Sequence, residues 1–129
     1  MDVFIEYNLL RKAGFLLLLA TGWRISELHA CVRDQEHCRF TPTQSLVLRP
    51  HKSFMAKNGH KNRLKPKKIS TLKDTEGNIS NICPVTTLRE YLGTNRDCNK
   101  SLFLNTNLYK ELTLQGLNSA ICSVIRRRA

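Results

Sequence analysis

The sequence lacks several features that would assign it to a well-defined functional class. None of its five cysteines forms a C-x-x-C pair, which argues against a zinc knuckle. Their odd number and scattered positions are most simply explained by reduced thiols in an intracellular compartment. Only one Trp and three Tyr are present, which argues against an aromatic platform for stacking RNA bases. We expect neither a cofactor nor a metal.

Long apolar runs are also missing. The run A-G-F-L-L-L-L-A at residues 13–20 is too short to span a bilayer. It resembles the core of a signal peptide, but Asp2 and Glu6 offset the charges of Arg11 and Lys12, so the positive leader is absent. A buried helix explains the run better, and we expect no membrane partner.

Acidic residues are absent from a central stretch of the chain. The whole chain carries 21 Lys and Arg against 10 Asp and Glu, a formal net charge of +11, and Arg49 to Lys73 contains no acid at all. A solvated basic face or a localisation signal is the simpler interpretation. The uninterrupted absence of acids instead favours a surface that follows phosphates. The residues expected to bind DNA are Lys52, Lys61, Arg63, Lys65, Lys67 and Lys68.

The apolar pattern predicts a single α+β domain over residues 1–129, mostly helical with a small basic antiparallel sheet. Because the first helix is apolar all round, we expect it to be central, with Gly22 at its end. Strands are predicted at residues 45–49, pairing with residues 53–56, and near residues 68–72. The predicted helices cover residues 2–21, a second segment to about residue 32, residues 84–93, and a last helix capped by Thr113.

Arg24 is the strongest candidate for a functional residue. It follows two residues after Gly22, which separates two apolar helices and so places Arg24 at a corner. A guanidinium stays protonated and can bind two phosphate oxygens at once. Glu27 is close enough in sequence to orient it, although a simple Arg–Glu surface pair is the alternative.

The segment R-K-A-G-F-L-L-L-L-A-T-G-W-R-I-S-E-L at residues 11–28 resembles the first signature of the tyrosine recombinases, the phage-integrase family. The resemblance implies that Arg24 is a catalytic phosphate ligand supported by Glu27. Residues 56–63, A-K-N-G-H-K-N-R, resemble the basic hairpin of that family. There Lys57 matches the catalytic Lys, a general acid for the leaving oxygen, although Ala56 replaces the usual Gly.

Two further segments extend the resemblance along the chain. C-P-V-T-T-L-R-E-Y-L at residues 83–92 and L-F-L at residues 102–104 follow in the family's order. The family breaks and rejoins DNA in recombination and integration, so double-stranded DNA and other recombinase protomers are the implied partners. Residues 39–50 look more like recombinases of eukaryotic mobile elements, which would place the protein in the nucleus.

The chain ends before the family's later His–Arg box and its Tyr nucleophile. We therefore expect a partial catalytic domain that binds DNA without cleaving it alone. Tyr7, Tyr91 and Tyr109 precede those boxes, and we interpret them as core or interface residues. The alternatives are a non-enzymatic basic adaptor or domesticated relic that binds nucleic acid, and a chain that does not fold stably. The cluster His29, Cys31, His37 and Cys38 fits no common zinc spacing.

Overall fold

Four helices and a three-stranded antiparallel sheet make up the described part of the chain, which confirms the predicted α+β class. The structure is a computed structural model that describes residues 3–34, 36–51, 66–93, 101–104 and 110–126, without the side chains of residues 3, 4 and 126. The helices are α1 (Val3–Thr21), α2 (Ile25–His29), α3 (Pro84–Leu92) and α4 (Leu114–Arg126). The strands are β1 (Cys38–Phe40), β2 (Leu46–Leu48) and β3 (Lys67–Ile69).

Helix α1 packs against both α3 and α4. Leu10, Ala13 and Leu17 recur at helical spacing and are at most 1 % exposed. Gly14 allows a close approach to α4, because a Cβ at this position would lie 3.1 Å from the Ile121 side chain. The predicted centrality of α1 is only partly right, since Leu19 on its other side is 67 % exposed. Of the helices within the described ranges, none is both long enough and apolar enough to cross a bilayer.

Helices α3 and α4 begin where the sequence predicts. Pro84 occupies the first turn of α3, where its missing N–H costs nothing. The Thr113 hydroxyl accepts a hydrogen bond from the Gly116 N–H at 3.0 Å and so caps α4. Leu117 and Ile121 of α4 are buried, but Ile125 at its far end is 55 % exposed. The apolar stripe of α4 is therefore covered in its middle only.

The sheet has β2 at its centre. Strand β2 is central, with β1 on one side and β3 on the other, so both of its edges are occupied. Residues 53–56, predicted to pair with it, lie outside the described residues. Leu46, Leu48 and Ile69 face the core and are buried. The predicted strand near residues 68–72 is confirmed at Lys67–Ile69, whereas β1 was not predicted.

Buried polar contacts join distant segments of the chain. Arg33 is 8 % exposed, and its Nε donates to the carbonyl oxygens of Ser101 and Leu102 at 3.1 and 3.3 Å. Its guanidinium also lies over the Tyr91 ring of α3. The Tyr91 hydroxyl accepts from the Leu104 N–H at 3.0 Å. These bonds hold residues 101–104 against α3, and the predicted burial of residues 102–104 is confirmed.

Gly22 ends α1 in the left-handed region, with φ of +69°. A Cβ at this position would meet no atom within 4 Å, so a substitution there is penalised by its backbone conformation and not by a clash. We expect Gly22→Ala to lower the free energy of unfolding by about 1 kcal/mol, measured by urea denaturation. An unchanged free energy of unfolding would contradict this backbone assignment.

Asp34 and His37 form a close side-chain contact near β1, with 2.6 Å between Oδ1 and Nδ1. Partial burial raises the pKa of the Asp34 carboxyl, but the hydrogen bonds and charge of His37 outweigh it and hold that pKa below its ordinary value. A lowered folded-state pKa stabilises the protein above the unfolded-state pKa, and the stabilisation is lost as the pH falls through the folded-state value.

We therefore expect Asp34→Asn to lower the urea midpoint at neutral pH. The difference from the unsubstituted protein should persist down to about pH 4, near the ordinary Asp value, and close only below it. Midpoints measured as a function of pH test this. A difference that stays constant below pH 4 would show that the carboxylate charge is not responsible.

Candidate nucleic-acid interface

The chain between α1 and α2 forms a tightly bonded turn, residues 21–24, which we call the Arg24 corner. The Thr21 hydroxyl donates to the Leu17 carbonyl at 2.8 Å and accepts from the Trp23 N–H at 3.1 Å. The Gly22 N–H donates to the Leu18 carbonyl at 3.0 Å. The Trp23 side chain is 7 % exposed and belongs to the core. These hydrogen bonds hold the backbone in place immediately before Arg24, whose side chain is exposed.

Arg24 combines a hydrogen-bonded backbone with an exposed side chain. Its backbone is extended, at φ −77° and ψ 158°, and its N–H donates to Glu27 Oε1 at 2.9 Å. The side chain is exposed. Among the described residues, none accepts a hydrogen bond from its guanidinium or forms an ion pair with it. As far as the described ranges extend, the N–H donors of its guanidinium are thus available to a phosphate.

Glu27 acts on this corner differently from the sequence expectation. Its carboxylate accepts from the backbone N–H of Arg24 and does not bind the guanidinium. This is the carboxylate half of a capping box, which satisfies a helix-terminal donor. Glu27 therefore supports Arg24 through the backbone, and the predicted orientation of the guanidinium by Glu27 is not observed.

The outward face of the sheet presents a second group of cations. Arg39 pairs with Val47, and Val47 pairs with Lys68, so these three residues form one line across the strands, which we call the outer row. Arg39 and Lys68 are both exposed. Two strand spacings of about 4.8 Å separate their backbones by roughly 10 Å. Two long cationic side chains at this separation can contact neighbouring phosphates of one DNA backbone.

The acids closest in sequence to the outer row do not neutralise it. Asp34 Oδ1 lies 2.6 Å from His37 Nδ1, and Glu36 Oε1 accepts a hydrogen bond from Arg49 Nη2 at 2.7 Å. Among the described residues, no carboxylate pairs with Arg39 or Lys68. The acids of this region are therefore used in internal contacts, and the cations of the outer row remain open to a partner.

The structure brings together only part of the predicted site. Lys67 and Lys68 are exposed on β3 as predicted, but alternation along the strand sends them to opposite faces, and only Lys68 joins the outer row. Arg39 was missed because its position depends on a cross-strand register that the sequence pattern does not reveal. The predicted residues outside the described ranges are Lys52, Lys57, Lys61, Arg63 and Lys65.

The four residues considered as metal ligands have other roles. His29 Nε2 lies 2.6 Å from the Leu112 carbonyl, and His37 bonds Asp34. Burial raises the pKa of the Cys38 thiol to about 12, partly offset by the charge of Arg33. Burial also raises the pKa of the Cys31 thiol. Within the described ranges, no group of three or more His, Cys, Asp or Glu could hold a metal ion.

The tyrosines divide between core and surface. Tyr91 is 3 % exposed, which confirms it as a core residue, and burial raises the pKa of its hydroxyl. Tyr7 is 39 % exposed and is therefore not a core residue, so its interpretation as an interface residue stays a prediction; its ring lies 5.5 Å from the Arg11 guanidinium. Tyr109 lies outside the described residues.

Comparison of the chain with models of protein families, with curated proteins and with solved structures finds no significant match. The resemblance of residues 11–28 to the tyrosine recombinases therefore stays a prediction. The geometry of the Arg24 corner and the outer row has to support any functional proposal without help from relatives.

The different contacts of Arg24 and Glu27 predict different effects on stability. Arg24→Ala removes an exposed side chain without partners among the described residues and should change the free energy of unfolding by no more than about 0.5 kcal/mol. Glu27→Ala removes the acceptor of a helix-terminal N–H and should cost about 1 kcal/mol. Urea denaturation of both variants measures this. A larger loss in Arg24→Ala would give the guanidinium a structural role instead.

Proposed function

We propose that this chain binds double-stranded DNA through the phosphate backbone, as part of the catalytic domain of a tyrosine-recombinase-like enzyme of DNA recombination and integration. The observation that carries the proposal is the exposed Arg24 guanidinium, which has no acceptor among the described residues, on a corner whose backbone is fixed by hydrogen bonds. The guanidinium can bind two phosphate oxygens at once, and the fixed backbone of the corner sets the point from which this side chain extends.

The outer row supports the same proposal independently of any family. Arg39 and Lys68 add two exposed cations on paired strands, in a chain with a formal net charge of +11. Contacts of this type go to phosphates and carry little sequence information. The expected binding is therefore of moderate affinity, strongly dependent on salt and nearly independent of sequence.

The proposed enzymatic role is limited to phosphate binding by Arg24. In a strand-transfer reaction, a guanidinium at this position would stabilise the negative charge that develops on the phosphoryl oxygens. The described residues provide no bond between Arg24 and a His, Cys or Tyr side chain. We therefore assign neither a nucleophile nor a cleavage step to this chain alone.

The test is fluorescence anisotropy with a labelled DNA duplex of about 20 base pairs over a salt titration. We expect the logarithm of the binding constant to fall linearly with the logarithm of the salt concentration. Arg24→Ala, Arg39→Ala and Lys68→Ala should each reduce the steepness of that slope by about 1. They should weaken binding to duplexes of unrelated sequence alike, as should the sequence-predicted Lys61→Ala and Arg63→Ala.

Lys110→Ala is the matched control, because it removes one exposed cation outside both the Arg24 corner and the outer row. It should weaken binding less than the three test variants. Equal weakening by Lys110→Ala would reduce the interface to a diffuse effect of net charge. No binding, binding independent of salt, or a preference for single-stranded RNA would overturn the proposal, and the last result would favour the basic adaptor.

A further inference from the structure

One side of α1 lines an open groove of about 390 Å³ on the surface, which we call the α1 groove. Six of its residues come from α1 and recur at spacings of one, three and four residues, and Ile82 and Val124 complete its lining. From Asn8 to Leu19, the groove follows α1 over about 16 Å, or roughly three helical turns. The lining residues from α1 are Asn8, Arg11, Lys12, Phe15, Leu16 and Leu19.

The two ends of the α1 groove differ in chemistry. Phe15, Leu16 and Leu19 make one end of the α1 side apolar, and Ile82 and Val124 add two further apolar residues to the lining. Leu19 is 67 % and Ile82 is 55 % exposed, so this surface is left uncovered within the described residues. The other end carries Arg11 and Lys12, and the lining contains no acid.

Arg11 adds to the basic end a positive charge that no carboxylate neutralises within the described residues. It is 8 % exposed, and its Nε has no hydrogen-bond partner in the described part of the chain. Its terminal nitrogen donates to Asn8 Oδ1 at 3.2 Å, and its guanidinium lies over the Tyr7 ring. Among the described residues, no carboxylate pairs with it. A buried cation of this kind is costly without an anion.

We propose that the α1 groove binds an amphipathic helix of a partner protein, with its apolar stripe on Phe15, Leu16 and Leu19 and a carboxylate at the Arg11–Lys12 end. Helix-in-groove recognition places apolar residues at i, i+3, i+4 and i+7 against such a surface. A second copy of this chain is the less suitable occupant, because each copy carries a formal charge of +11. This inference does not depend on DNA binding, which involves other residues.

The probes are fluorescein-labelled synthetic helical peptides of about 16 residues, roughly four turns. The first carries a leucine stripe with glutamates at one end. The second replaces those glutamates with lysines, and the third has the composition of the first in an order that destroys the stripe. We expect the unmodified 129-residue chain to bind the first peptide at least about tenfold more tightly than either of the others.

Variants of the protein separate groove binding from general charge attraction. Leu19→Asn and Ile82→Asn should each weaken binding of the acidic striped peptide about tenfold, whereas Ile79→Asn should not, since Ile79 is 47 % exposed but outside the groove. Arg11→Met and Lys12→Met should reduce the preference for glutamate over lysine. Lys110→Met, which removes an exposed charge outside the groove, should leave that preference unchanged.

Lys12 is exposed, so Lys12→Met keeps the test valid even if Arg11→Met unfolds the protein. Absence of binding would overturn the proposal, as would equal binding of the striped and reordered acidic peptides or equal loss in Ile79→Asn. Sedimentation gives a further test. A dimer of the chain alone that Leu19→Asn dissociates would assign the groove to a second copy and also overturn it.

Discussion

The close packing of α1 against α3 and α4 is the constraint on which the rest of the structure depends. Leu10, Ala13 and Leu17 are almost fully buried, and Gly14 lets the Ile121 side chain approach the α1 backbone closely. This packing fixes the position of α1, and its end at Gly22 then fixes where the chain turns. The Arg24 corner is therefore positioned by the hydrophobic core, although the Arg24 side chain itself does not contribute to that core.

This arrangement separates stability from phosphate binding. The contacts that hold the corner involve Thr21, Trp23 and the carboxylate of Glu27, whereas the guanidinium of Arg24 has no acceptor among the described residues. The sheet follows the same principle, because Leu46, Leu48 and Ile69 pack into the core while the outer row presents Arg39 and Lys68. Cations exposed in this way contribute little to the stability of the fold. Their charge remains available to bind a polyanion.

Features that depend on residues close together in the sequence could be predicted from it. Features that depend on contacts between distant segments could not. Helical periodicity, Pro84 and Thr113 located α3 and α4, and Gly22 located the end of α1. Strand β1 was missed because three residues carry almost no periodic signal, and its pairing with β2 brings together segments separated by a turn. Arg39 belongs to the outer row only because the register between β1 and β2 places it opposite Val47. The truncated resemblance predicts an uncovered apolar face on α1, but an all-round apolar pattern does not show which side the neighbouring helices leave exposed, and the structure shows it at Leu19.

The most direct test of the central claim is a two-dimensional amide NMR titration of the ¹⁵N-labelled chain with a short DNA duplex. We expect the largest shift changes at Trp23 and Arg24 and along the outer row, with small changes at Leu16 and Leu19 in the α1 groove. Added salt should reverse these changes, because the contacts are with phosphates. Changes concentrated in the α1 groove, or absent from both the Arg24 corner and the outer row, would contradict the account.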